Sequence, residues 1–321
     1  MKKLVSIVVP VFNNKETLSL VNEKIIKLFE GHFSTLCVEI VFVDDGSTDD
    51  SWHELQRLAS LQPQIVKPIS LSRNFGQLGA LHAGFSVANG SALICISADM
   101  QDPIDLMQPM LKQWLSGADI VIAYRQDRKD GIFNKISSHV AYAFARKAYP
   151  KLPKGGFDYW LMTSEVNNLL VNTKGRHNFL QGYLTSLGFE TVILPYVRQQ
   201  RPHGKSGYKF GKKLKIFIDF VIDTSDIPIR CVTLFGAAAA LLGVVYSAII
   251  TVGWFYSMTP FDGWAPLMIL NLILGGSIIF ILGLLGEYIW RIYDNIRDFP
   301  LYIIDKRKSA LTEANDTKKI K

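Results

Sequence analysis

Between Arg230 and Glu287 the only charged residue is Asp262, which divides the segment into two apolar runs, 231–255 and 264–286. Each is long enough to cross a hydrocarbon core of about 30 Å. Two charge-free runs with Gly- and Ala-rich faces read as a transmembrane hairpin rather than as helices buried in a soluble core. Lys205, Lys209, Lys212, Lys213, Lys215 and Arg230 precede the first run, and Arg291, Arg297, Lys306, Arg307 and Lys308 follow the second. The connecting loop has neither Lys nor Arg. Because positive flanks stay on the cytoplasmic side, both termini are expected in the cytoplasm, with the loop near 260–264 on the other side. Leu4 to Val9 is too short for a signal segment and runs into Pro10, so a cytoplasmic domain is expected to start there.

Four parts follow: a domain over 1–210, a juxtamembrane amphipathic helix over 211–229, the hairpin over 230–290, and a basic cytoplasmic tail over 291–321, solvated from Ser309 onward. In the second part Leu214, Ile216, Phe217, Phe220 and Val221 are interleaved with Lys and Asp. That pattern suits a helix lying on the membrane surface and, nearly as well, a plain core-facing helix.

The chain has 321 residues, 49% of them hydrophobic, so a domain of about 200–250 residues fits beside the hairpin. A net charge of +7 favours anionic partners. The basic residues track the membrane boundary and are not interleaved with aromatics, which argues against nucleic acid. Cys37, Cys95 and Cys231 are far apart, without CxxC spacing or clustered His, which excludes a disulfide framework and a zinc site as readings.

Before the apolar runs, strand candidates Leu4 to Val9, Val38 to Val43, Ile65 to Ser70, Ala92 to Ser97 and Asp119 to Tyr124 alternate with helical patterns. The helical patterns are Glu16 to Phe29, Ser51 to Ala59, Gln77 to Ala88 and Ile104 to Leu115. The alternation predicts an α/β domain with a mainly parallel, Rossmann-like sheet, whose ligands lie beyond the carboxyl ends of the strands. After Tyr124 the regularity decays.

Chemistry-bearing residues fall where that rule puts them. Asp44-Asp45-Gly46-Ser47 follows the second strand, and two carboxylates there suit a nucleobase N–H or ribose hydroxyls. A plain turn capping the next helix with Ser47, Thr48 or Asp49 reads as well from this stretch alone. Pro10-Val11-Phe12-Asn13-Asn14 follows the first strand and forms the opposite wall. Asp99 ends the fourth strand, where a carboxylate suits Mg²⁺ or Mn²⁺ shared with a diphosphate, with Gln101 as a second hard oxygen donor. Asp102-Pro103 reads as a helix start.

Five segments in this order, followed by the hairpin, resemble glycosyltransferase family 2: Val9-Pro10-Val11-Phe12-Asn13, Val43-Asp44-Asp45-Gly46-Ser47, Ser72-Arg73-Asn74-Phe75-Gly76, Ala98-Asp99-Met100-Gln101-Asp102-Pro103, and Arg201-Pro202-His203-Gly204-Lys205-Ser206-Gly207-Tyr208. The resemblance is to its polyprenyl-phosphate glycosyltransferases, which include dolichol-phosphate mannose synthases and bactoprenol glucosyltransferases. It implies a GT-A fold and transfer of a sugar, glucose as first guess, from a nucleotide-sugar such as a UDP-sugar to undecaprenyl phosphate at a bacterial inner membrane.

By the resemblance, Pro10, Phe12, Asn14, Asp44, Asp45 and Arg73 would hold the nucleotide-sugar, and Asp99 and Gln101 the metal. Arg201, Lys205 and Tyr208 would close over the diphosphate, Arg125, Lys135 and Ser138 would grip the acceptor phosphate, and Asp158 would be the catalytic carboxylate. Relatives form tetramers, and a separate flippase would turn the product over. The family usually reads Asp-Ala-Asp where this chain has Ser97-Ala98-Asp99, and commonly has Glu where this chain has Asn14. Those departures support an alternative, a membrane scaffold that kept the fold. A polysaccharide synthase would show a Gln-x-x-Arg-Trp acceptor motif and more spans, and neither is found.

Overall fold

Strand β1 (Lys3–Val11) is buried from Val5 to Val9, on both faces, and it lies in the interior of the sheet. A computed structural model describes residues 2–125, 146, 149–153, 156–172, 179–196, 227–255, 265–296 and 299–309. They group into two units, one drawn from Met1–Tyr208 and Pro300–Lys321, the other from Lys209–Phe299.

In the first unit β1 pairs in parallel with β2 (Leu36–Asp44) on one side and with β4 (Ala92–Cys95) on the other, and β2 pairs in parallel with β3 (Val66–Ser70). Strands covered on both faces read as near-continuous apolar runs, which is why β1, β2 and β4 stand out in the sequence, whereas β3 carries the half-buried Lys67 and Pro68. Between them lie α1 (Lys15–His32), α2 (Ser51–Leu61) and α3 (Gly76–Val87). The predicted helix over Ile104 to Leu115 is two pieces, a 3₁₀ turn (Ile104–Leu106) and α4 (Met107–Leu115). Pro109 has no N–H to donate and lies in the first turn of α4, where an N–H would have no intrahelical partner.

Beyond β5 (Ile120–Arg125), the stretch that lacks clear periodicity supplies β6 (Tyr159–Thr163), α5 (Ser164–Asn172), α6 (Leu180–Ser186) and β7 (Thr191–Tyr196). The seven strands run in the order β3-β2-β1-β4-β6-β5-β7. Strand β6 is antiparallel to both neighbours, β4 and β5, while β5 and β7 are parallel. The sheet is thus mixed and mostly parallel. The reversal matters for function, because the start of β6 falls at the same edge as the ends of β4 and β5.

At the opposite end of the sheet Glu39 is 1% exposed in mid-strand. Its carboxylate is satisfied by the Ser6 hydroxyl, the Asn89 N–H and the Lys67 ammonium. A buried charge without such partners would be costly, so this end reads as structural.

The basic tail expected over 291–321 divides differently. Residues 300–309 belong to the first unit, and Ser309 is 2% exposed where a solvated end was expected. The cause is pairing: Leu71 and Ile304 form an antiparallel bridge, and the Ser309 side chain meets the backbone of Ser70.

The second unit contains α7 (Ile227–Phe255) and α8 (Ala265–Ile296). α8 runs past 286, through Glu287 and Arg291, to Ile296. Among the described residues one stretch, Ile273–Trp290, is long and apolar enough to cross a bilayer, with mean hydropathy 1.8 and none of it buried. In α7 the apolar stretch is the shorter Ile229–Gly243. Of the expected juxtamembrane helix, 211–226 lies outside the described residues and 227–229 belongs to α7.

Candidate active site

The order β2-β1-β4 means that the chain leaves β1 in opposite directions, so a crevice opens at the carboxyl ends of β1 and β4. The loops after β1 and β2, expected on opposite walls of the crevice, instead interlock to form one wall. Asn13, at φ 55, donates its backbone N–H to Ser47 Oγ (3.0 Å), and its own Oδ1 accepts from Thr48 N (2.8 Å). Asn14 N donates to Ser51 Oγ at 3.0 Å, while Asn14 Oδ1 accepts from Phe12 N at 3.1 Å. The Asn14 amide is therefore engaged within its own loop. Phe12 remains 46% exposed on this wall, and Pro10 is half-buried in β1.

Asp44 and Asp45 are each 3% exposed, too buried for ordinary turn residues. Asp44 Oδ1 accepts from Ser47 N at 3.2 Å, and Asp45 Oδ1 from Phe75 N at 2.6 Å. Burial pushes both carboxyl groups above their ordinary pKa, with these hydrogen bonds opposing the rise. Gly46, at φ +70, lets the two loops touch: a Cβ there would lie 2.8 Å from Asn74 N. On the Ser72–Phe75 side, the Arg73 guanidinium sits 4.2 Å from the centre of the Phe75 ring.

The loop after β4 supplies the second wall. Met100 has φ 59, a left-handed conformation uncommon for a side chain of this size, and it lies between the two candidate metal-ligating residues. Asp99 Oδ1 accepts from Gln101 N at 3.2 Å. Ser97 Oγ lies 2.7 Å from Asp99 Oδ1 and 2.9 Å from Asp102 Oδ2, so its single proton serves one carboxylate at a time. Gln101 Oε1 is buried with no hydrogen-bond partner among the described residues. An orphaned hard oxygen beside a carboxylate fits a divalent cation that takes its remaining ligands from a diphosphate. Among the described residues no cluster of three or more His, Cys, Asp or Glu forms a complete metal cage.

Asp102 departs from the expected helix-start role. The helix it precedes shows no side-chain cap. Its carboxylate instead takes Ser97 on one oxygen and the Tyr196 hydroxyl, at 2.6 Å, on the other. Tyr196 also accepts from Arg125 Nε at 3.3 Å, and the Arg125 guanidinium pairs with Asp158. Burial would lower the Arg125 pKa, but Asp158, Tyr196 and Asp102 together raise it. Gln181 Nε2 approaches Asp158 Oδ1 at 3.4 Å. A continuous chain thus runs Asp99, Ser97, Asp102, Tyr196, Arg125, Asp158.

Asp45, Asp99, Arg125 and Asp158 therefore come to one edge of the sheet, on the ends of β2, β4 and β5 and the start of β6. Arg201, Lys205, Tyr208, Lys135 and Ser138 lie outside the described residues. Tyr196 and the side-chain hydrogen bonds of Asp102 were missed in the sequence. The signal that would have found Tyr196 is register, because it pairs with Arg125 across β5 and β7.

This sheet and its edge of carboxylate-bearing loops define a GT-A-like α/β protein. The family model described as Glycosyl transferase family 2 matches residues 6–169. An SfII prophage-derived bactoprenol glucosyl transferase from Shigella flexneri is 35% identical over 304 residues, 94% of this chain and 97% of that one. A prophage bactoprenol glucosyl transferase homolog from Escherichia coli (strain K12) is 34% identical over 95% of this chain and 99% of that one. Among solved structures, glucosyl-3-phosphoglycerate synthase from Mycobacterium tuberculosis, in complex with Mg²⁺ and uridine-diphosphate, shares the fold with a TM-score of 0.50 at 18% identity, over 69% of this chain and 79% of that chain. The chain belongs to glycosyltransferase family 2 and is a glycosyltransferase.

Proposed function

We propose that this glycosyltransferase moves a sugar, glucose as the first candidate, from a UDP-sugar to undecaprenyl phosphate at the cytoplasmic face of a bacterial inner membrane. The observation that carries the reading is the shared sheet edge, with buried carboxylates Asp44 and Asp45 at one end and the Arg125–Asp158 pair at the other. Two relatives with bactoprenol in their names, each matched over more than nine-tenths of its length, support the lipid acceptor and the choice of glucose.

In this reading Asp44 and Asp45 accept hydrogen bonds from the base and ribose, with Pro10, Phe12, Asn14 and Arg73 shaping the pocket. Asp99 and Gln101 would hold Mg²⁺ or Mn²⁺, which supplies charge neutralisation for a diphosphate. Arg201 and Lys205, with Tyr208, stabilise charge on the same leaving group. Arg125, with Lys135 and Ser138, orients the lipid phosphate. One phosphate oxygen forms a bond to the anomeric carbon as the bond from that carbon to the diphosphate oxygen breaks, and UDP departs with the electron pair. Attack from the far side inverts the configuration. A lipid phosphate is already ionised at neutral pH, so Asp158 serves by holding Arg125 in place rather than by taking a proton.

The two long helices are read as a hairpin anchoring the enzyme beside an acceptor that cannot leave the bilayer, with both termini cytoplasmic. Outward-facing Leu234, Phe235, Ile279 and Phe280 support burial in lipid. A tetramer and a separate flippase complete the reading. The test is radiolabel transfer from a panel of UDP- and GDP-sugars to a short polyprenyl phosphate in detergent. Transfer from one UDP-sugar supports the proposal, and no transfer from any UDP donor refutes it.

A further inference from the structure

The stretch that follows α8 in the chain returns to the sheet at the edge strand β3. Ser72 N donates to Ile303 O at 2.9 Å, Asp305 N donates to Ser70 O at 2.8 Å, and Leu71 bridges Ile304. Ser70 N donates to Ser309 Oγ at 3.0 Å, and both serines are buried. The segment closes on itself through Lys308 N and Ser309 N, which both donate to Asp305 O. Room for it is built into α3, where a Cβ on Gly79 would lie 2.9 Å from Leu301 O.

What this strap touches is the continuation of β3, and β3 leads into the loop whose Phe75 N–H is bound by Asp45. The same loop fills the space over Gly46, with Arg73 C at 2.9 Å from a Cβ there. The strap also brings Lys308 toward Asp44, where its charge opposes the upward pull of burial on that carboxyl group. Backbone bonds at Ser70 and Ser72 are thus satisfied by residues more than 200 positions away in sequence, one step from the two carboxylates.

We infer that residues 300–309 are a positioning element of the donor pocket: by bonding Ser70 and Ser72 they hold the Ser72–Phe75 loop against Asp45 and Gly46, and so set nucleotide affinity. The inference rests on the donor reading above. It makes Asp305 and Ser309 positioning residues that never touch the sugar. It also makes the donor pocket depend on chain that lies beyond the apolar helices in sequence.

The test uses the full chain in detergent with two variants, Asp305→Pro, which deletes the N–H given to Ser70, and Ser309→Ala, with Ser309→Thr as the conservative rescue. Three quantities are measured: UDP affinity by calorimetry, KM for donor and for polyprenyl phosphate, and hydrogen exchange of the 71–76 amides. The expected result is donor affinity about fivefold to tenfold weaker for each of the two variants, the size of one or two lost buried hydrogen bonds. Acceptor KM should be unchanged, exchange over 71–76 faster, and Ser309→Thr restored. Unchanged exchange over 71–76, or a parallel loss for both substrates, overturns the inference. If the wild type binds no UDP, the donor reading falls, and the exchange of 71–76 still decides whether the strap holds the loop.

Discussion

Asp45 carries two opposed demands, burial and ionisation. Its carboxyl group has a raised pKa because burial disfavours the charge, and the same holds for Asp44. A group whose folded pKa lies above its unfolded value holds its proton more tightly in the native state. Stability therefore falls as pH rises from the ordinary value of 3.8 through the raised folded value, and the penalty is complete above it. Asp45→Asn, which keeps an oxygen for Phe75 N–H, is predicted to raise the melting temperature at pH 7 and to flatten that decline. It should weaken UDP binding about tenfold or more, since a hydrogen bond to a charged group is worth about 1.5–3 kcal/mol. Thermal melts across pH and a UDP titration check both. At Asp99 the demand is for a hard anionic ligand, so Asp99→Ala should lower transfer by about a hundredfold or more with melting temperature within a few degrees of wild type. Near-normal turnover in that variant would remove the metal assignment. These acidic positions were legible in the sequence because a strand's end is marked by where its apolar run stops. Asp102 was not: Asp-Pro is a common helix start, and only the fold reveals that Ser97 and Tyr196 occupy its oxygens.

Elements differ in how openly the sequence declares them, and the difference is physical. β1, β2 and β4 are largely buried on both faces and bounded by turn residues, so their existence and parallel direction follow from apolar runs separated by helical connections. β7 is different, reading Thr-Val-Ile-Leu-Pro-Tyr with Ile193 42% exposed, and although β6 is buried from Tyr159 to Met162, nothing local says that it inserts antiparallel between β4 and β5. That reversal nevertheless creates the site, because it brings Asp158 to the edge where Arg125 ends β5. Tyr196 ties this half to the β4 loop, with Asp102 on one side and Arg125 on the other. Tyr196→Phe should keep the ring's packing against Tyr159 and lose only the hydroxyl. The predicted outcome is a kcat about fivefold to fiftyfold lower and a raised KM for polyprenyl phosphate, with UDP affinity unchanged. Steady-state kinetics with each substrate varied in turn checks the split. An equal loss for donor and acceptor would mean that the hydroxyl supports the fold alone.

For the whole molecule, charge and hydropathy divide the labour. The first unit buries its apolar residues in one sheet, whereas along α8 they face outward: Ile278, Ile279, Phe280 and Leu282 are all more than half exposed. An aqueous protein rarely leaves so much contiguous apolar surface uncovered, so the proposed hairpin makes a sharp prediction about partition. A single Arg at the middle of a span costs about 2.5–3.5 kcal/mol on insertion scales, and two such charges roughly double it. Ile279→Arg combined with Leu282→Arg should therefore move most of the protein out of the carbonate-washed membrane fraction. Ile279→Leu with Leu282→Ile should leave it there. Transfer to a water-soluble, short-chain polyprenyl phosphate should survive in whatever Arg variant stays folded, because the carboxylate loops and Arg125 belong to the first unit. Transfer to undecaprenyl phosphate in vesicles should fall in proportion to the protein lost from the membrane. If the double Arg variant remains membrane-bound, α8 does not cross the bilayer, and anchoring must be sought elsewhere in the chain.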